Sequence, residues 1–156
     1  MKKRNLKEIS KDAIKMEYKG IQFRSKLEVR WAKIFDGVDL AYEYELKKYK
    51  FRNDVVYIPD FFLKDLRGGT FIEIKPDTKI QQEWKDKLEY LYEMTGMEVM
   101  LFCGAPGFER IYHYDKFNLE ISGDSYWQEI VLEDVFTINM MEKYKKAMFK
   151  NKRENF

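Results

Sequence analysis

Cysteine is almost missing from this chain: Cys103 stands alone among 156 residues, and His113 is the sole histidine. One cysteine allows no intrachain disulfide and no cysteine metal cluster, so a reducing cytosol is the expected compartment. A single histidine in Ile111-Tyr-His-Tyr114 reads as a packed or exposed polar residue on a strand rather than a general base. No apolar run approaches eighteen uncharged residues, which argues against a membrane span. The basic opening Met1-Lys-Lys-Arg-Asn5 lacks the apolar stretch of a secretory signal. Repeats, low-complexity tracts and proline-rich linkers are also missing, so one domain over 1–156 is expected. Gly104-Ala-Pro-Gly107 has no following lysine and helix, which leaves it a turn rather than a phosphate loop.

What is present is apolar and aromatic: 45% of residues are hydrophobic and 17% aromatic, enough to bury a core and to exclude a disordered chain. The net charge of +2 is unevenly spread. Residues 1–26 hold nine Lys/Arg against three acids and 143–156 hold six against one, which leaves −9 on 27–142. Basic flanks suit a phosphate backbone, and an acidic centre suits divalent cations; solvated helix faces are the plainer explanation of the same runs.

Periodicity predicts a basic helix over 5–16, a turn at Gly20, and a helix from Ser25 to about Asp36 with Leu27, Trp31, Ile34 and Phe35 on one stripe. Alternation over 40–46 predicts a strand with Leu40, Tyr42, Tyr44 and Leu46 inward. Strands at 49–52, 55–63 and 70–75 follow, then a helix over 79–94 stopped by Gly96 and a strand at 99–103 buried on both faces. Beyond Gly104 the pattern predicts strands near 110–115, 117–121 and 129–137 and a helix from about Asn139. The order implies an α/β core, antiparallel at first and closed by a crossover connection.

Three pieces of this layout carry chemistry. In the 70–75 strand Phe71, Glu73 and Lys75 share one face and Ile72 and Ile74 the other. Folding the chain about residues 66–67, beside Gly68-Gly69, sets Asp60 opposite Glu73. Two adjacent carboxylates repel unless a cation lies between them, the usual makings of a Mg²⁺ site, and a nearby Lys75 can stabilise phosphorane charge or orient water. Compensating charges at an exposed strand edge are the structural alternative. Glu28, in Ser25-x-x-Glu28, fits a capping box as well as a ligand.

Phe23-Arg-Ser-Lys-Leu-Glu28, Tyr44-Glu45, Tyr57-Ile-Pro-Asp-Phe61 and Phe71-Ile-Glu-Ile-Lys-Pro76 together resemble the PD-(D/E)XK nuclease superfamily, in particular its small phage and transposon-borne members. The likeness covers roughly residues 20–105 and lies in the order and setting of short motifs. It implies a restriction-endonuclease-like αβββαβ core, a mixed sheet flanked by helices, with extra C-terminal strands and a helix. It also implies Mg²⁺ or Mn²⁺ and hydrolysis of DNA phosphodiester bonds. By motif position Asp60 and Glu73 become the metal ligands, Glu28 an additional carboxylate at the metal, and Lys75 the residue that works on the water. Glu45 matches a recurrent glutamate. No zinc or iron–sulfur appendage is recognisable.

Arg24, Lys26, Lys143 and Lys146 are the expected backbone-binding cations. Cutting both strands with one such site requires a homodimer or two binding events. The expected location is the cytosol, a bacterial host's if the gene is phage-borne. Two alternatives stand beside the nuclease: a non-cleaving nucleic-acid-binding or protein-inhibiting module on the same fold, and a nuclease subunit that relies on a protein partner for target recognition. Tyr126, Trp127 and Tyr144 are the aromatics whose setting, core or base-stacking platform, the pattern leaves open.

Overall fold

The computed structural model describes residues 16–116 and 126–153, with side chains described to Lys150. The expected helix over 5–16 falls almost wholly outside these residues, as does the strand at 117–121. The elements in chain order are β1 (Glu17–Tyr18), β2 (Ile21–Gln22), α1 (Lys26–Gly37), β3 (Glu43–Tyr44), β4 (Tyr49–Lys50), β5 (Val56–Tyr57), β6 (Phe61–Leu63), β7 (Thr70–Lys75), α2 (Gln82–Thr95), β8 (Glu98–Cys103), β9 (Arg110–Tyr114), β10 (Trp127–Ile130), α3 (Leu132–Val135) and α4 (Ile138–Arg153).

Among the described residues the main sheet has six strands in the order β10-β9-β8-β7-β6-β3. Only β7 and β8 run parallel, because α2 crosses over between them; the other neighbours are antiparallel. Helices cover both faces. On one, Phe61, Leu63, Ile72, Ile74, Met100 and Phe102 meet Trp31, Ile34 and Phe35 of α1, with α4 packed on α1. On the other, Phe71, Val99, Leu101 and Cys103 meet Leu88 and Leu91 of α2. The continuous apolar run of β8 is thus explained by burial on two sides.

Local chemistry sets the element ends. Ser25 Oγ accepts from Glu28 N–H at 3.1 Å and opens α1. Gly96, left-handed at φ 70°, closes α2 by donating to Tyr92 O at 2.8 Å. Arg67, Gly68 and Gly69 all take positive φ in the tight turn between β6 and β7. That turn fixes the register Phe61↔Ile72, Phe62↔Phe71 and Leu63↔Thr70, which when continued by one residue sets Asp60 against Glu73.

The expectation for 40–46 needs correction. The strand is only Glu43–Tyr44, because Glu45 turns to φ 49° and leaves Leu46 53% exposed. The 55–63 strand is likewise two pieces. Ile58-Pro59-Asp60 separates β5, which pairs with β4 in a small sheet of its own, from β6 in the main sheet; Pro59 has no N–H for a ladder. The expected strand over 129–137 is replaced by β10, which ends at Ile130, and by the short helix α3, where Asp134 Oδ2 accepts from Val131 N–H at 3.1 Å. No helix among the described residues is long and apolar enough to cross a membrane.

Candidate active site

The break at Pro59-Asp60 creates the site. Where the chain passes from the small β4–β5 sheet into β6 of the main sheet, Asp60 lies between residues of the two faces. Glu73 lies on the α2 face with Phe71, and its parallel neighbour is Leu101. Glu28 comes from the first turn of α1 on the opposite face. Asp60 bridges the gap: its Oδ2 accepts from Ile74 N–H at 2.8 Å. Its carboxyl also lies within hydrogen-bonding reach of Glu28. All three carboxyls are buried, with 4% exposure at Glu28, 8% at Asp60 and 6% at Glu73.

Burial of like charges has an electrostatic consequence. Desolvation, then the charge of Glu28 and a hydrogen bond from it, push the Asp60 carboxyl well above the ordinary range, with Ile74 N–H and Lys75 opposing. Desolvation pushes Glu73 up to about 8; Lys75 and Lys87 pull the other way, and Glu28 and Glu45 add to the rise. Glu73 Oε2 is buried with no hydrogen-bond partner among the described residues. An unpaired buried carboxylate oxygen costs several kcal/mol unless a proton or cation meets it.

Only half of a capping box forms: Ser25 Oγ caps the Glu28 N–H, and the Glu28 carboxylate turns away from the backbone. Its Oε1 accepts from Ser25 Oγ at 3.1 Å and its Oε2 from Tyr44 O–H at 3.2 Å. Capping and site geometry therefore coexist in one rotamer. Glu45 binds the Arg24 guanidinium, and its N–H donates to Asp60 O at 2.9 Å, so it braces the site rim. Lys75 Nζ stands 5.3 Å from the centroid of Trp84 on α2.

The expected site residues lie in one region without forming a ligand set. Among the described residues no three His, Cys, Asp or Glu side chains already converge as a metal-ligating group. Asp60 and Glu28 approach one another, while Glu73 feels the charge of Glu28 without a hydrogen bond to it. Of the expected backbone-binding cations, Arg24 and Lys26 are exposed at the N-terminal end of α1, while Lys143 and Lys146 line a groove at its other end.

Sequence reasoning missed Tyr44, Lys87 and Tyr57. Tyr44 had been placed inward as packing, but it also donates to Glu28. Lys87 sits three residues after Trp84, hence on the same side of α2, and that spacing was the available signal. Its Nζ lies 5.9 Å from the Tyr57 ring centroid. The Tyr57 hydroxyl is, like Glu73 Oε2, buried with no hydrogen-bond partner among the described residues.

The discounted residues are structural. Cys103 is buried and its thiol is pushed up to about 11 by desolvation. His113 Nε2 pairs with Glu98. Trp127 is buried and donates to Glu89 Oε1 at 2.7 Å, Tyr144 is buried and donates to Glu109 Oε1 at 3.2 Å, and Tyr126 packs against Tyr114. None of the three forms an open stacking platform.

No protein-family profile, curated protein or solved structure matches the chain.

Proposed function

We propose that this protein is a metal-dependent nuclease that hydrolyses DNA phosphodiester bonds on a restriction-endonuclease-like core. The single observation that carries the reading is Glu73 Oε2, buried with no hydrogen-bond partner among the described residues, in the field of Lys75 and on the residue that the β6–β7 register sets against Asp60. Such an atom fits a hard divalent cation, and an all-oxygen donor set of carboxylates suits Mg²⁺ or Mn²⁺ over softer metals. Asp60 and Glu73 would hold the ion with Glu28 assisting; when bound it supplies Lewis acidity and lowers the pKa of water.

The chain's own groups do the positioning. Ile74 N–H fixes Asp60, while Ser25 and Tyr44 hydroxyls fix Glu28. Lys75 provides the positive charge that meets developing negative charge on the phosphate or orients the attacking water. The element order α1, β3, β6, β7, α2, β8 supports the αβββαβ assignment, with the β4–β5 hairpin inserted.

One observation favours a second reading, a non-cleaving module on the same fold: no three ligating side chains are preassembled among the described residues. Cleavage assays on supercoiled, linear, single-stranded and four-way-junction DNA separate the two. The nuclease reading expects cutting in Mg²⁺ or Mn²⁺, none in EDTA, and none by Asp60→Ala. Folded wild type that binds these DNAs and cuts none in either metal supports the module.

A further inference from the structure

At the end of α1 remote from Glu28, a groove of about 670 Å³ opens between that helix, the β1–β2 turn and α4. Lys19, Lys33, Lys143, Lys146 and Lys150 line it, against one carboxylate, Asp36. That carboxylate is already engaged: Asp36 Oδ2 accepts from Tyr18 O–H at 2.6 Å and pairs with Lys19 at 3.3 Å. Lys143 pairs with Asp39 at 2.7 Å just outside. Neither Lys146 nor Lys150 has a carboxylate partner among the described residues, so the groove keeps an excess of positive charge. Its floor is close-packed: a Cβ on Gly37 would lie 2.6 Å from Ala147 Cβ, so α1 and α4 approach there as only glycine allows.

The groove is continuous with a second feature. Lys26, Arg30, Lys33 and Gly37 recur at four-, three- and four-residue steps, which places them on one helix face, turned away from Trp31, Ile34 and Phe35 in the core. Three cations therefore run from the turn that carries Glu28 down to the groove. Eleven residues of helix make that stripe roughly 16 Å long, the axial length of about five phosphates of one strand.

We propose that the outer face of α1 and the lysine groove at its end form one track for the phosphate backbone of a nucleic acid, read by charge and not by base. This deepens the nuclease reading and rests on it only for the identity of the polyanion. The features that favour nucleic acid over an anionic membrane are the concavity of the groove and its continuation as a single line of cations, which fits a linear polyanion; the Glu28 side chain leaves α1 on the opposite, buried face.

The test is binding of a 30-base-pair DNA duplex in EDTA, where no cutting is expected, across a salt series. Arg30→Gln/Lys33→Gln and Lys146→Gln/Lys150→Gln should each lower the slope of log K against log salt by about two and weaken binding about tenfold or more at low salt. Lys48→Gln/Lys64→Gln, the same charge change at exposed sites off the track, should leave the slope as in wild type. Circular dichroism melts confirm that all variants fold. Unchanged slopes in both track variants, or an equal fall in the off-track control, overturn the proposal. So does tighter binding to phosphatidylserine vesicles that is lost in the same variants. Wild type that binds through the track yet cuts nothing in Mg²⁺ or Mn²⁺ keeps the track and removes the nuclease; cutting with unaltered slopes does the reverse.

Discussion

Glu73→Gln should make the metal-free protein more stable at alkaline pH, although it removes a central site residue. In the folded chain burial holds the Glu73 carboxyl up to about 8, against 4.5 for the free side chain. Below pH 4.5 both folded and unfolded forms are protonated there and nothing is lost. Between 4.5 and 8 the unfolded chain has released a proton that the folded chain still holds, so stability falls as pH rises. Moving one carboxyl over that range corresponds to about 5 kcal/mol. Total stability for a domain of this size is on the order of 5–15 kcal/mol, so the effect is large. Glutamine keeps the shape without the charge, and its unpaired buried amide costs about 1–3 kcal/mol at every pH. Urea unfolding in EDTA from pH 4.5 to 9 reads the difference. The variant should start level or slightly less stable and gain about 5 kcal/mol on wild type by pH 9. Parallel stability curves would refute the reasoning, because they would mean Glu73 is not held uncharged by burial.

Lys75→Ala should reduce cutting by about 100-fold or more in single-turnover assays while leaving the melting temperature within a few degrees, since the side chain is only partly buried. Ser25→Ala removes the α1 cap and one of the Glu28 hydrogen bonds; a loss of about 1 kcal/mol, or about 2–4 °C in the melt, is expected together with slower cutting. Tyr44→Phe should slow cutting with little change in stability, because its hydroxyl orients Glu28 at 3.2 Å from the part-buried rim. Gly96→Ala, forced into φ 70°, should cost about 1 kcal/mol in chemical denaturation and leave cutting intact.

The parts of the fold legible in the sequence were those fixed by local chemistry. The Gly68-Gly69 turn implied a fold about residues 66–67, and the observed β6–β7 register agrees with it. Ser25 and Gly96 marked one end each of α1 and α2. The failures came where the pattern is not local. Alternation over 40–46 was real for Leu40, Tyr42 and Tyr44, but no residue type announced the left-handed turn at Glu45, which its bond to Arg24 and its N–H to Asp60 O hold in place. The apolar spacing of 129–137 served equally for a strand and for the one-turn helix α3.

The site was legible as a set of residues and not as a geometry. Spacing placed Asp60 beside Glu73, yet burial of Glu73 on the α2 face, and the approach of Glu28 from the other face, depend on how the helices pack on the two faces of the sheet. That packing is a tertiary event. For the same reason Tyr44, Tyr57 and Lys87 read as packing or surface in the sequence, and only their neighbours show otherwise.

The most direct measurement is calorimetric titration of Mn²⁺ into the purified protein at pH 8.5, with Asp60→Asn and Glu73→Gln alongside. A bound metal would displace the proton that burial retains on Glu73, so binding should strengthen as pH rises from 6 to 8.5 and release protons. One saturable site in wild type, absent from both variants, is the result this account predicts. Wild type that takes up no Mn²⁺, or variants that bind it as wild type does, would contradict it.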